Sequence, residues 1–202
     1  NDIYSYRRDI NGQNSDVEWI DVTDNDTRNP QIVTEYTWGT ANYLHVTYER
    51  WVTSDHVDLF YSRSTNYGQD WSTPKIVGRA GPWNVNVQHS LAYAQRNLYI
   101  AYRYSTGSRD PGHIEILYST DYGSSFIGPI DVSPTTKIDA YWPSIAGSHV
   151  GSMHYPTTLW VAYQNASGGS TGDDIFACWS HDYGNTWSSP QLIAGSAYSE
   201  ER

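Results

Sequence analysis

Short stretches of this chain alternate apolar and polar residues with a period of two, the pattern of half-buried β-strands, and no stretch carries a helical period. The stretches recur in a fixed order. A first element reads Pro30-Gln31-Ile32-Val33, His89-Ser90-Leu91-Ala92 and Pro143-Ser144-Ile145-Ala146. A second reads Leu44-His45-Val46-Thr47-Tyr48, Leu98-Tyr99-Ile100-Ala101-Tyr102 and Leu159-Trp160-Val161-Ala162-Tyr163. A third spans residues 58–64, 113–119 and 174–180, with residues 2–8 in the same frame. A fourth covers residues 74–77, 129–132 and 190–193, with 19–22 alongside.

Between the third and fourth elements lies a repeated polar turn. It reads Ser64-Thr65-Asn66-Tyr67-Gly68-Gln69-Asp70-Trp71, Ser119-Thr120-Asp121-Tyr122-Gly123-Ser124-Ser125-Phe126 and Ser180-His181-Asp182-Tyr183-Gly184-Asn185-Thr186-Trp187, with a degraded copy at residues 8–12. The glycine supplies a positive φ, and the short acidic side chain accepts backbone N–H bonds inside the hairpin. The Trp or Phe anchors the turn against its sheet. In the first copy Asn66 replaces the acid and keeps the acceptor oxygen.

Four short strands per repeat predict an all-β chain built as a β-propeller of four-stranded antiparallel blades; a sandwich or β-helix is the alternative. Residues 1–24 form half a blade, with only its last two strands. Complete blades follow at 29–78, 86–133 and 141–194, and residues 195–202 begin a further blade or a tail. About three and a half blades form a partial ring, all in one domain. The expectation is therefore a piece of a longer propeller, or a ring whose remaining blades come from the parent chain or another copy; Asn1 in first place agrees with a processed or excised piece.

Composition narrows the partners. The 18 Tyr and 9 Trp against 3 Phe favour strands and half-wet surfaces. A net charge of −10 leaves no basic stripe for nucleic acid. No apolar run is long enough for a membrane span, and no signal peptide is present. The one cysteine, Cys178, has no disulfide partner in the chain and reads as a small buried strand residue.

The turn Ser180 to Trp187 resembles the Asp-box, or BNR repeat, in full, and Ser119 to Phe126 resembles it with accepted variants. Nearly the whole chain resembles the sialidase-like repeats of secreted bacterial and archaeal surface proteins. The resemblance implies an extracellular or cell-surface β-propeller whose boxes (Ser64, Asn66, Gly68, Trp71; Ser119, Asp121, Gly123, Phe126; Ser180, Asp182, Gly184, Trp187) are structural staples at the rim. It does not by itself imply activity, because such boxes also occur in receptors and assembly factors.

A sialidase-type site needs three arginines to clamp a carboxylate, a Tyr nucleophile activated by Glu, and an Asp acid/base. Arg28, in Arg28-Asn29-Pro30, is the one weak candidate for a clamp, against the plain reading of a surface arginine paired with Asp24 or Asp26. No catalytic set is assigned. Binding is the stronger expectation. Loops at residues 51–56, 79–84 and 139–142 offer Trp51, Trp83, Tyr141 and Trp142 to stack on sugar rings, with Asn84, Asn86 and His89 to bond hydroxyls; the same tryptophans could instead be wedges between blades. No cofactor motif appears. Two acidic loops could hold Ca²⁺, one with Asp21, Asp24 and Asp26 and one with Asp173 and Asp174, although neither has EF-hand spacing. The leading expectation is a non-catalytic extracellular segment binding glycan or a surface protein. A fragment of a sialidase-like glycosidase and an architectural repeat of a large surface protein are the alternatives.

Overall fold

A computed structural model describes residues 2–8, 15–35, 43–54, 56–79, 88–94, 96–105, 111–133, 139–148, 158–166 and 173–195. Among them are fourteen strands and no helix. They fall in two compact units, Asn1–Val87 and Gln88–Arg202.

In the first unit β1 (Ile3–Arg8) pairs with β2 (Ser15–Asp21) as a two-stranded antiparallel sheet. Strands β3 (Thr27–Thr34), β4 (Leu44–Thr53), β5 (His56–Ser64) and β6 (Lys75–Arg79) form a four-stranded antiparallel sheet in chain order. The second unit repeats that plan twice. One sheet holds β7 (His89–Ala94), β8 (Asn97–Tyr104), β9 (His113–Ser119) and β10 (Ile127–Asp131). The other holds β11 (Ala140–Gly147), β12 (Leu159–Ala166), β13 (Asp173–Ser180) and β14 (Gln191–Ala194). The expected strands are thus present at the expected places, and the coarse expectation of an all-β chain of four-stranded antiparallel sheets is met.

Among the described residues, an apolar core lies between the sheets of each unit. In the first, Ile3 and Ile20 pack with Val46, Tyr48 and Phe60, and Trp71 closes the edge. In the second, Tyr99, Ala101, Ile114, Ile116 and Tyr118 pack with Leu159, Val161, Tyr163 and Cys178. Each buried Leu, Ile or Val there contributes about 1.5–3 kcal/mol. The sheets of the second unit approach closely at one point: a Cβ on Gly147 would stand 2.3 Å from that of Ala94, so only glycine fits. Burial pushes the Cys178 thiol up to about 12, as suits a core residue without nucleophilic character.

The three complete turns share one hydrogen-bond plan. The Ser hydroxyl donates to the side-chain oxygen two residues on (Asn66 3.0 Å, Asp121 2.8 Å, Asp182 2.8 Å) and accepts the glycine N–H at 2.8–2.9 Å. The same Oδ1 accepts the N–H of Asp70, Ser125 or Thr186 at 2.8–2.9 Å. The positive φ is not confined to glycine. Tyr67, Tyr122 and Tyr183 have φ of 57–62° just before glycines at 78–86°, as the two central positions of a mirror-image hairpin turn require.

A second irregularity recurs in or just ahead of the first strand of each four-stranded sheet. Asn29, Gln88 and Trp142 have positive φ, and β3 and β11 each hold one extra residue against their partners, between Arg28 and Gln31 and between Tyr141 and Ser144. These bulges re-aim the residues before them. Two stretches expected as loops need correcting. Trp51–Thr53 belong to β4 and His56 to β5, in a tight hairpin, and Tyr141 and Trp142 lie inside β11. In both places ladder pairing extends the strand beyond its alternating apolar run. Asp173 and Asp174 likewise open β13, paired with Ala166 and Asn165.

Candidate functional site

In the first unit, the end of β4 and the start of β3 frame a shallow cleft of about 520 Å³ lined by Asp24, Asn25, Asp26, Arg28, Trp51, Thr53 and Ser54. The volume lies within the roughly 300–1,000 Å³ of small-molecule sites. Its frame is fixed by backbone and charge. The Trp51 N–H donates to the Asp26 carbonyl at 2.9 Å, which ties β4 to the loop before β3. Arg50, next in β4, donates through Nε to Asp21 at 2.9 Å and reaches the same carboxylate through its terminal nitrogen. Asp21 is buried, so this ion pair anchors β4 to β2 below the cleft.

On the cleft wall the Arg28 guanidinium bonds the Asp26 carboxylate and stands over the Trp51 ring, 5.6 Å from its centroid. The Trp51 indole N–H is enclosed and finds no acceptor, so the nitrogen edge points inward while the rest of the ring lines the cleft. Asp24 is exposed, and the hydroxyls of Thr53 and Ser54 complete the rim. An aromatic face, a guanidinium, two carboxylates, an amide and two hydroxyls converge on one concave surface. That is hydrogen-bonding and stacking equipment.

Three separate expectations meet here. Trp51 was expected to stack on sugars, Arg28 was the weak clamp, and Asp24 and Asp26 were calcium candidates. Arg28 pairs with Asp26, as its plain reading has it, and Asp21 belongs to Arg50 rather than to the cleft. Among the described residues no three His, Cys, Asp or Glu side chains converge as a metal site would need. Thr53 and Ser54 lie in the 51–56 stretch expected to bind and Asn25 in the acidic stretch 21–26, although none of the three was singled out by itself. Arg50, which holds Asp21, was missed; a charged residue at the end of an apolar strand gives no sign of a partner on another sheet.

The other expected binding residues lie in the second unit or outside the described residues. Trp83, Asn84 and Asn86 are outside. Trp142 is 61% exposed at its bulge, and its N–H donates to the Gln88 side chain at 2.8 Å. Tyr141 bonds Asp173, and burial, followed by that carboxylate, pushes its phenol up to about 12. His89 is buried in β7. Asp139 is held by Arg103 at 2.8 Å and accepts the Gly112 N–H at 2.7 Å.

A Tyr–Glu pair does form, in the second unit. The Tyr102 hydroxyl donates to Glu115 across β8 and β9, and His113 stands 3.3 Å from the other carboxylate oxygen. Tyr102 is 3% exposed, and burial, then the Glu115 carboxylate, push its phenol well above the usual range. A nucleophilic phenol needs the reverse. Arg7, Arg28, Arg50 and Arg103 each bond an aspartate of their own: Asp16, Asp26, Asp21 and Asp139. No family model matches the chain, and no curated protein matches it significantly.

Proposed function

We propose that this chain is a non-catalytic segment of an extracellular Asp-box β-propeller, and that it binds glycan or a glycan-bearing surface protein through the Trp51 cleft. The observation that carries this reading is the convergence of Trp51, Arg28, Asp24, Asp26, Thr53 and Ser54 on one concave surface. Stacking on an indole and bidentate hydrogen bonding to vicinal hydroxyls are what a pyranose ring calls for. The repeated Ser-x-Asp/Asn-x-Gly turns and four-stranded sheets support the propeller, with remaining blades from the parent chain or another copy. Two carboxylates against one guanidinium favour neutral sugars over sialylated ones. Calcium is not required for this reading; Asp24 is the one candidate ligand in the cleft without an ion-pair partner among the described residues.

A microarray of neutral and sialylated oligosaccharides tests the proposal. Retention of neutral glycans, lost at least tenfold in Trp51→Ala with the melting temperature held, is the expected outcome. Undiminished retention by Trp51→Ala, or none by the native chain, would overturn it. The Tyr102–Glu115 pair is the one observation favouring a sialidase-like glycosidase. Hydrolysis of a fluorogenic sialoside that disappears in Tyr102→Phe would establish that reading in place of the first.

A further inference from the structure

The Trp51 cleft already holds a cation, and it is the chain's own. The Arg28 guanidinium stands 5.6 Å from the centroid of the Trp51 ring while it bonds the Asp26 carboxylate. A cation within about 6 Å of an indole centroid is attracted by the negative face of the ring. The arrangement stays open to water. The Arg28 side chain is 56% exposed and that of Asp26 30%, so their bridge is a surface pair and contributes little. A second cation can therefore take the place of the guanidinium with little penalty.

The repeat does not dictate this arrangement. At the matching places of the second unit, β11 carries Tyr141 before its bulge, and β12 carries Ala166. Strand, bulge and ladder recur there without an indole or a guanidinium, so the pair in the first unit is an addition to the scaffold. Its charges are unequal. Arg28 is matched by Asp26, and below the cleft Arg50 is matched by Asp21. Asp24 is exposed on the same surface and adds a carboxylate that neither pair uses. The wall thus offers an aromatic face and one carboxylate beyond what its own arginine neutralises.

We propose that the cleft selects glycans built of amino sugars with a free ammonium over their N-acetylated and plain hydroxyl counterparts. The inference rests on the glycan reading of this cleft and narrows it. The ammonium replaces the Arg28 guanidinium over Trp51 and takes Asp24 or Asp26 as its counter-ion. Hydroxyls of the same ring then bond Asn25, Thr53 and Ser54, which line the same surface. Those hydroxyl partners are why an amino sugar fits better than a lysine side chain, whose stem carries none. Acetylation turns the ammonium into a neutral amide, and a sialylated glycan brings a charge of the wrong sign.

Calorimetric titration in mildly acidic buffer tests it with three tetramers of one linkage: glucosamine, N-acetylglucosamine and glucose. The glucosamine tetramer should bind about tenfold more tightly than either of the others, the combined scale of an exposed cation–π contact and one ion pair. Asp24→Asn should shrink that ratio severalfold, and Arg28→Gln, which empties the place over the indole, should enlarge it. Trp51→Ala should abolish binding of all three. Equal affinities of the native chain for the three tetramers overturn the inference; if Trp51→Ala still abolishes them, the glycan reading stands. Binding of none of the three also overturns it, and the oligosaccharide array then decides the glycan reading by itself. A preference unmoved by Asp24→Asn and Asp26→Asn alike overturns it too, because the ammonium would then be read elsewhere. So does tetralysine bound as tightly as the glucosamine tetramer, which would mark a site for any amine. Near-UV circular dichroism checks each fold; where Asp26→Asn loses its native signal, Asp24→Asn and Arg28→Gln carry the test.

Discussion

At matching positions of the repeat, the two units fill the gap between their sheets with different chemistry. In the first, Arg50 reaches from β4 to Asp21 in β2 and lays its guanidinium over Phe60, 3.8 Å from the ring centroid. In the second, the corresponding residues are Asn165 and Asp131. Asn165 is buried in β12, and Asp131 turns to its own loop, accepting the Ser133 N–H at 2.9 Å. The Ser133 hydroxyl in turn accepts the Ile114 N–H at 2.9 Å. At these positions the first unit has an ion pair across the gap, where the second has a buried amide and an aspartate bonded within its own loop. The ion pair that joins the sheets of the second unit, Arg103 with Asp139, lies elsewhere. A shared backbone plan therefore does not dictate a shared interior. A buried charge is tolerated where its partner arrives from the adjoining sheet.

The largest effect should come from breaking the ion pair on one side. Arg50→Met leaves the Asp21 carboxylate buried and alone, and should cost about 3–5 kcal/mol in urea unfolding. Removing both charges with Asp21→Leu/Arg50→Met should restore most of that loss, since a packed apolar pair of similar volume is often neutral or better. The double-mutant cycle then reads the coupling directly. A single variant costing under about 1 kcal/mol would place this pair with exposed surface bridges and erase the contrast between the units.

Acid should separate the units next. His45 is fully buried in β4 beside the Tyr61 hydroxyl at 2.8 Å. Burial, and then the charge of Arg63, lower its imidazole to about 4. The unfolded chain takes up that proton first, near the ordinary value of 6.5. The stability it supports is thus intact above that pH, falls as pH drops through the window, and is gone by about 4. The full loss is on the order of 3 kcal/mol. His45→Gln should flatten the pH dependence of urea unfolding between pH 7 and 4.5; an unchanged slope would show that His45 does not titrate in this window.

Much of this frame was legible beforehand, and for a physical reason. A strand has a period of two and a turn of this type needs Ser, Asp or Asn, and Gly at fixed offsets, so both are written locally. Residues joined across sheets are not written that way. Asp21 and Arg50 lie 29 positions apart, and no local pattern pairs them. Trp51, Tyr141 and Trp142 read as loop residues because they stand outside the alternating apolar runs. The ladder nonetheless extends over them, and the bulge at Trp142 turns that side chain to solvent. The cleft escaped for the same reason, being made from the end of β4, the start of β3 and the loop before β3. Tyr67, Tyr122 and Tyr183 hid their left-handed backbone because tyrosine gives no hint of positive φ.

The smallest effect sharpens the contrast at the level of one turn. In the second unit the aspartate accepts from a hydroxyl, Ser125 to Asp121 at 2.6 Å and Thr186 to Asp182 at 2.5 Å. The first unit inverts the polarity, the Asn66 amide donating to the Asp70 carboxylate at 2.7 Å. Asn66→Asp keeps the Oδ1 acceptor but sets two carboxylates face to face, and should cost about 1 kcal/mol at neutral pH. Like charges at that distance share a proton, so one carboxyl of the variant has its value raised. The missing stability should then return on acidification and vanish again as pH rises through that raised value. Asn66→Asp/Asp70→Thr installs the arrangement of Asp182 and Thr186, and should recover the native melting temperature at every pH where the fold persists. The native turns of the second unit run the other way. Hydrogen bonds from Ser125 hold Asp121 down to about 2, so that turn keeps its bonds until the pH falls that far, and bonds from Thr186 lower Asp182 in the same sense. An Asn66→Asp variant as stable as the native chain at pH 7 would show that the donor inversion is incidental. A loss reversed only by the second substitution would show that each turn is tuned as a pair.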